Sequence, residues 1–217
     1  MKKYFLAFSS VLLFLAAIQT QALAQFNFPL FGLKGGVNFS TLYAEDVENT
    51  KMIGGFNIGF FSKLPVSDFI AIQPEFYYTT KGGEATYKNA FLDGTASFKT
   101  DYVELPILLI LNVTENLNLQ VGPYLSYLLS GKVKNVSSNS YFDFEDNIDT
   151  EDFNRFEGGV AVGAGLDLGA LGVGIRYNHG LTKVGKEKTF MGYKYTFPNA
   201  SNGVINVYAS FALTGGN

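Results

Sequence analysis

The 217-residue chain has no cysteine, no tryptophan, one histidine and only 6 prolines. Without cysteine there is no disulfide, no thiol chemistry and no acceptor for an N-terminal lipid anchor. Charge is scarce too: Asp, Glu, Lys and Arg make up 16% of the residues, where about 25% is usual. The first 24 residues carry Lys2 and Lys3 and no acid, so the remainder sets 14 basic groups against 19 acidic ones, a net charge of −5. That balance argues against nucleic-acid binding, which wants a basic patch. Long apolar runs are missing beyond the N-terminus. The longest, 105–111, is far too short for a membrane-spanning helix of about 20 residues.

What is present begins with a leader. Lys2 and Lys3 precede an apolar run from Tyr4 to Ile18, and Ala22-Leu23-Ala24 supplies small residues before Gln25. This pattern is a secretory signal peptide over 1–24, leaving 25–217 as one domain.

The mature chain shows no helical period. It shows eight alternating stretches, near 31–42, 51–64, 69–81, 98–113, 117–131, 155–169, 171–184 and 203–213. Most are longer than the usual globular strand of about 5–6 residues. The stretch 156–168 is typical: Val160, Val162, Ala164, Leu166 and Leu168 share one parity, and Gly159, Ala161, Gly163, Gly165 and Asp167 share the other. Connections at 65–68, 114–116 and 169–171 are tight, whereas 43–50, 82–97, 132–154 and 185–200 are long and polar. Short turns at one end and long loops at the other mark an all-β, eight-stranded antiparallel up-and-down transmembrane barrel with both termini at the short-turn end.

Alternation alone does not separate a lipid-facing barrel from a soluble one. The polar face decides. A watery exterior should be roughly a quarter to a third charged, but Asn118, Gln120, Gly122, Tyr124 and Ser126, or Asn206, Tyr208 and Ser210, carry no charge. Such residues suit a crowded interior. Leu117, Leu119, Val121, Leu125 and Leu129, with Val103, Leu105, Ile107 and Leu109, suit lipid. Phe39, Phe69, Tyr77, Tyr78, Tyr127 and Tyr177 suit interfacial girdles.

The segments FGLKGGVNFSTL (31–42), IQPEFYYTTKGG (72–83), YVELPILL (102–109), LNLQVGPYLSYLLSG (117–131) and GVGIRYNHGLT (172–182) give the chain its likeness. It resembles the small outer-membrane β-barrel family of Bacteroidetes, called porin family or PorT-like. The resemblance implies an eight-stranded barrel inserted by the outer-membrane assembly machinery, with outer-membrane lipid around it. It implies no single activity.

By parity the inward charges are Lys34, Glu75, Glu104, Glu157, Asp167 and Arg176. Charges in a narrow barrel are costly unless paired, so Glu75 and Glu104, on adjacent strands, are expected to share cations such as Lys34 and Arg176. A salt-bridged plug is favoured over an ion path, because eight strands leave an interior just wide enough for side chains. The loop 141–153 carries Asp143, Glu145, Asp146, Asp149, Glu151 and Asp152. It is read as a solvated acidic loop, with calcium binding as the lesser alternative. His179 is read as an interfacial residue. The alternative is a lipid-facing catalytic His paired with Ser201, as in outer-membrane lipid A deacylases. Glycines at 32–36 and 158–165 precede no helix and are not phosphate loops.

The expected protein is therefore a monomeric barrel without cofactor, metal or catalytic site, acting as a structural or surface-interaction platform through its long loops. Narrow-pore solute transport and lipid modification are the alternatives.

Overall fold

A computed structural model describes residues 29–44, 50–88, 93–137, 144–147, 153–185, 187–190, 193–196 and 200–214. Eight long strands form the body: β1 Leu30–Ala44, β2 Ile53–Pro65, β3 Ile70–Lys88, β4 Asp93–Asn112, β5 Leu117–Ser137, β6 Phe156–Leu168, β7 Leu171–Gly180 and β8 Ala200–Thr214. Each pairs antiparallel with its neighbours in sequence, and β1 closes the ring on β8. Within this ring of eight strands closure leaves no free edge at the level of the apolar band, the condition for strands to cross lipid. The leader 1–24 lies outside the described residues.

The tight end works as the sequence suggests. Backbone bonds Val66 N→Ile70 O at 2.8 Å and Val113 N→Leu117 O at 2.8 Å close two turns. Gly169, at φ +72°, opens the two-residue turn between β6 and β7, a backbone position that a side chain would strain.

The alternation separates two surfaces. Val162 is 55% exposed while its neighbour Ala161 is fully buried. The same split puts Leu105, Ile107, Leu109, Leu119, Val121, Leu125 and Leu129 outside and Asn118, Gln120, Tyr124 and Ser126 inside. Exposed apolar side chains in a continuous band around a closed sheet are what a lipid-facing wall requires. Aromatic pairs edge that band. Phe56 lies tilted against Tyr78 at 5.8 Å and Tyr127 meets Phe156 at 5.1 Å toward the long-loop end, and Phe31 stacks on Phe60 at 5.9 Å toward the turns.

Glycines make room inside. A Cβ on Gly159 would lie 2.4 Å from the Tyr124 ring, and one on Gly174 would lie 2.4 Å from the Tyr208 hydroxyl oxygen. The small inward residues of β6 and β7 are the space that these two tyrosines fill.

Four expectations change. The segment 82–97 is not a loop: β3 and β4 continue paired as far as Lys88↔Asp93. β5 likewise runs on to Ser137 and pairs with the short strand Phe144–Asn147, and 185–200 contains the hairpin Glu187–Phe190 with Tyr193–Thr196. In these extensions the sequence loses the polar–apolar alternation that marks a strand, although the backbone ladder persists. Finally, Tyr77 is no girdle residue. It is buried at 5% exposure, because it shares parity with Gln73 and Glu75 rather than with Phe76 and Tyr78.

Candidate functional site

The lumen is where this chain concentrates chemistry. Of the six inward charges read from parity, Lys34, Glu75, Glu104, Glu157 and Arg176 are buried and Asp167 is half-buried. Their ion pairs are not continuous, although Gln120 bridges two groups by accepting from Arg176 and donating to Asn118. They form three tiers along the barrel axis.

The lowest tier, beside the short turns, pairs Lys63 with Asp167 at 2.9 Å, and Asn118 donates to the same Asp167 oxygen at 3.0 Å. This tier lines a cavity of about 210 Å³ with Gln73, Gln120, Tyr208 and Lys34. The middle tier centres on Glu75. Lys34 Nζ lies 2.8 Å from Glu75 Oε1, and Arg176 grips the carboxylate through Nη1 at 2.6 Å and Nη2 at 3.0 Å. Gln73 and Tyr77 donate to Glu75 as well, and Gln120 accepts from Arg176 at 2.7 Å. The Lys34 ammonium also sits 3.6 Å above the Tyr208 ring, a cation–π contact that offsets part of its lost hydration.

The upper tier centres on Lys81. Its ammonium pairs with Glu104, lies 3.0 Å from Glu157 Oε1 and 3.2 Å from Ser126 Oγ. Asn178 donates to Glu104 at 2.8 Å, Ser126 donates to Glu104 at 2.9 Å, Tyr124 donates to Glu157 at 2.9 Å, and Asn202 donates to Glu157. Above these groups Leu42, Val184 and Ala200 pack together with Phe98 and Phe153, an apolar lid over the charged interior.

The expected sharing is thus corrected. Glu75 takes both Lys34 and Arg176, and Glu104 takes Lys81 instead. Lys81 escaped notice because it stands at the end of the segment first read as strand. Its signal was nonetheless present: it follows Glu75, Tyr77 and Thr79 at every second position of β3.

Outside the barrel, His179 is exposed, with Nδ1 3.3 Å from the Tyr177 hydroxyl and the Tyr43 ring 6.0 Å away. Its backbone pairs with Gly203 and Val160, whereas Ser201 pairs with Tyr43. Of the acidic loop, Glu145 and Asp146 fall in the short strand beside β5, opposite Lys134 and Val133. Asp143, Asp149, Glu151 and Asp152 lie outside the described residues, and with them the calcium question.

The model of the outer membrane protein beta-barrel domain family matches residues 19–185. Among solved structures the chain is similar to Ail, the attachment invasion locus protein of Yersinia pestis, at 13% identity over 87% of this chain and 100% of that one, with a TM-score of 0.49. It is also similar to Neisserial surface protein A, at 14% identity over 83% of this chain and 96% of that one, with a TM-score of 0.46. No curated protein matches.

Proposed function

The chain belongs to the outer membrane protein beta-barrel domain family, and from that premise we propose a closed barrel that serves as a rigid outer-membrane platform, carrying its interactions on the extracellular hairpins rather than passing solutes. One observation carries the reading: side chains from opposite walls meet across the lumen. Glu75 of β3 holds Lys34 of β1 and Arg176 of β7, and Lys81 of β3 reaches Glu157 of β6. A solute path would require parting two tiers of buried ion pairs, each costly to break. The paired strands β3 and β4, extending past the apolar band to Lys88 and Asp93, lift a stiff surface toward the outside. Such hairpins suit recognition better than transport.

In this reading the chain is a monomer in outer-membrane lipid, inserted by the assembly machinery after the leader is cleaved behind Ala24, and it groups with the PorT-like barrels of Bacteroidetes. It is not an enzyme. His179 keeps aromatic company and has its ring nitrogen beside Tyr177, an arrangement suited to anchoring at the lipid interface.

Planar-bilayer recording of the purified barrel tests the reading. The expected trace is free of stable steps. Sustained conductance on the scale of a general porin overturns the closed platform and favours solute passage.

A further inference from the structure

The charges of the two buried tiers have a direction. The middle tier sets Lys34 and Arg176 against Glu75, and the upper tier sets Glu104 and Glu157 against Lys81. The two tiers balance as a whole, but they are stacked along the barrel axis. Their dipole turns its positive end toward the short turns, and Lys34, at 3% exposure, stands at that end. Next to it lies the cavity of about 210 Å³ that opens beside the turns.

The wall of that cavity holds hydrogens that nothing takes. Lys34 of β1 stands in register with Ser210 of β8, Tyr208 is the next inward residue along β8, and all three line the cavity. The Lys34 ammonium has three hydrogens. One goes to Glu75, and the Tyr208 ring faces the group. The Tyr208 hydroxyl accepts from Gln120, and its own hydrogen, like that of the Ser210 hydroxyl, meets no acceptor among the described residues. Lys63 spends one hydrogen on Asp167. Gly172 pairs with both Ser210 and Asp167 and keeps the space between them open, since a Cβ there would lie 2.5 Å from Ser210 Oγ.

Acceptors on the same wall are fewer. Asp167 turns Oδ2 to Lys63 and Asn118, Asn118 Oδ1 accepts from Gln120, and Gln120 Oε1 accepts from Arg176. Water can take the spare hydrogens, but each molecule must place two of its own. An anion accepts without bringing any, and it gains charge-assisted bonds from the ammonium groups. The rest of the wall includes Leu30, Phe61 and Ala212, which suits a short hydrocarbon body rather than a fully hydrated oxyanion. At about 30 Å³ per water the cavity holds about seven waters, room for a ligand of about six to eight non-hydrogen atoms. We propose that this periplasm-facing cavity binds one small monocarboxylate, its oxygens on Lys34, Tyr208 and Ser210 with Lys63 alongside, and its apolar end against Leu30 and Phe61. The buried ion pairs end the cavity from above, so the ligand is held and not passed, and binding and conductance can fail independently.

The test is thermal. The folded full-length barrel in uncharged micelles is heated in sodium butyrate, in sodium chloride, in sodium phosphate, or in sodium chloride with butyramide, all at equal sodium concentration. Its unfolding midpoint is read from the change in gel migration. Butyrate should raise the midpoint by about 3 °C over chloride, and the neutral amide of the same shape should not. Lys34→Met should abolish the shift. If that variant does not fold, two others decide by opposite signs: Lys63→Met removes a cation and should shrink the shift, whereas Asp167→Asn releases the Lys63 ammonium and should enlarge it. Equal midpoints in butyrate and chloride, or a shift that these substitutions leave unchanged, would mean a water-filled cavity and would overturn the site. A shift as large from butyramide or from phosphate would overturn the carboxylate as its ligand.

Discussion

The middle and upper tiers of the lumen use the same currency of three charged side chains and arrive at opposite signs. Below, Glu75 faces two cations, Lys34 and Arg176. Above, Lys81 faces two anions, Glu104 and Glu157. Stacked along one axis, a surplus positive charge and a surplus negative charge attract, so the interior is neutral only as a whole. The tiers also differ in how well they are satisfied. Arg176 leaves only its Nε without a partner in the middle tier, whereas the upper tier adjoins three orphaned oxygens. The better-satisfied middle tier is the stiffer part of the plug.

The largest expected effect comes from the middle tier. Glu75→Gln leaves the Lys34 ammonium with the Tyr208 ring alone and sets it against Arg176 without a shared anion. Removing the counter-charge of a buried pair costs about 3–5 kcal/mol. Urea unfolding in micelles should show a loss of that size, and Lys34→Met in the same chain should return a good part of it. A loss under about 1 kcal/mol would mean that water reaches this tier and that it is no plug.

The upper tier should yield less. Lys81→Met sets Glu104 and Glu157 against each other, but each keeps neutral donors: Ser126 and Asn178 for Glu104, Tyr124 and Asn202 for Glu157. With those hydrogen bonds intact the expected cost is about 2–3 kcal/mol. Adding Glu157→Gln should recover most of it, since Glu104 alone, held by Ser126 and Asn178, has no like charge to repel. An equal or larger loss than for Glu75→Gln would reverse the ranking of the tiers.

How much of this could be read before any coordinates is clear from particular residues. Parity along β6 placed Val162 outside and Asp167 inside, because a strand's period of two is set by its own backbone. Turn positions followed from Gly169 and from Pro65 to Asp68 for similarly local reasons. Which inward groups meet was not legible. Arg176 and Glu75 come from strands on different sides of the ring, and their shared height depends on the stagger of the whole barrel, a closed-sheet property that no single segment encodes. Lys81 was lost for a different reason. The apolar outer face that advertises a strand stops near Tyr78, so the strand's further course through Gly82 and Glu84 left no hydrophobic trace.

The smallest effect is expected at the lowest tier, and it bounds the comparison from below. Lys63 and Asp167 lie 2.9 Å apart, as close as Lys34 and Glu75, but their side chains are 18% and 41% exposed where the buried pair is at 2% and 0%. They line the cavity that opens beside the short turns, so water screens the pair and rehydrates either partner once the other is gone. Asn118 continues to hold the Asp167 carboxylate. Lys63→Ala should therefore cost no more than about 1 kcal/mol, and the loss should shrink further in high salt, where exposed charges are screened. Urea unfolding at low and high salt reads both quantities. A salt-independent loss as large as that of Lys81→Met would show that distance rather than burial governs these pairs, and the distinction between the tiers would fall with it.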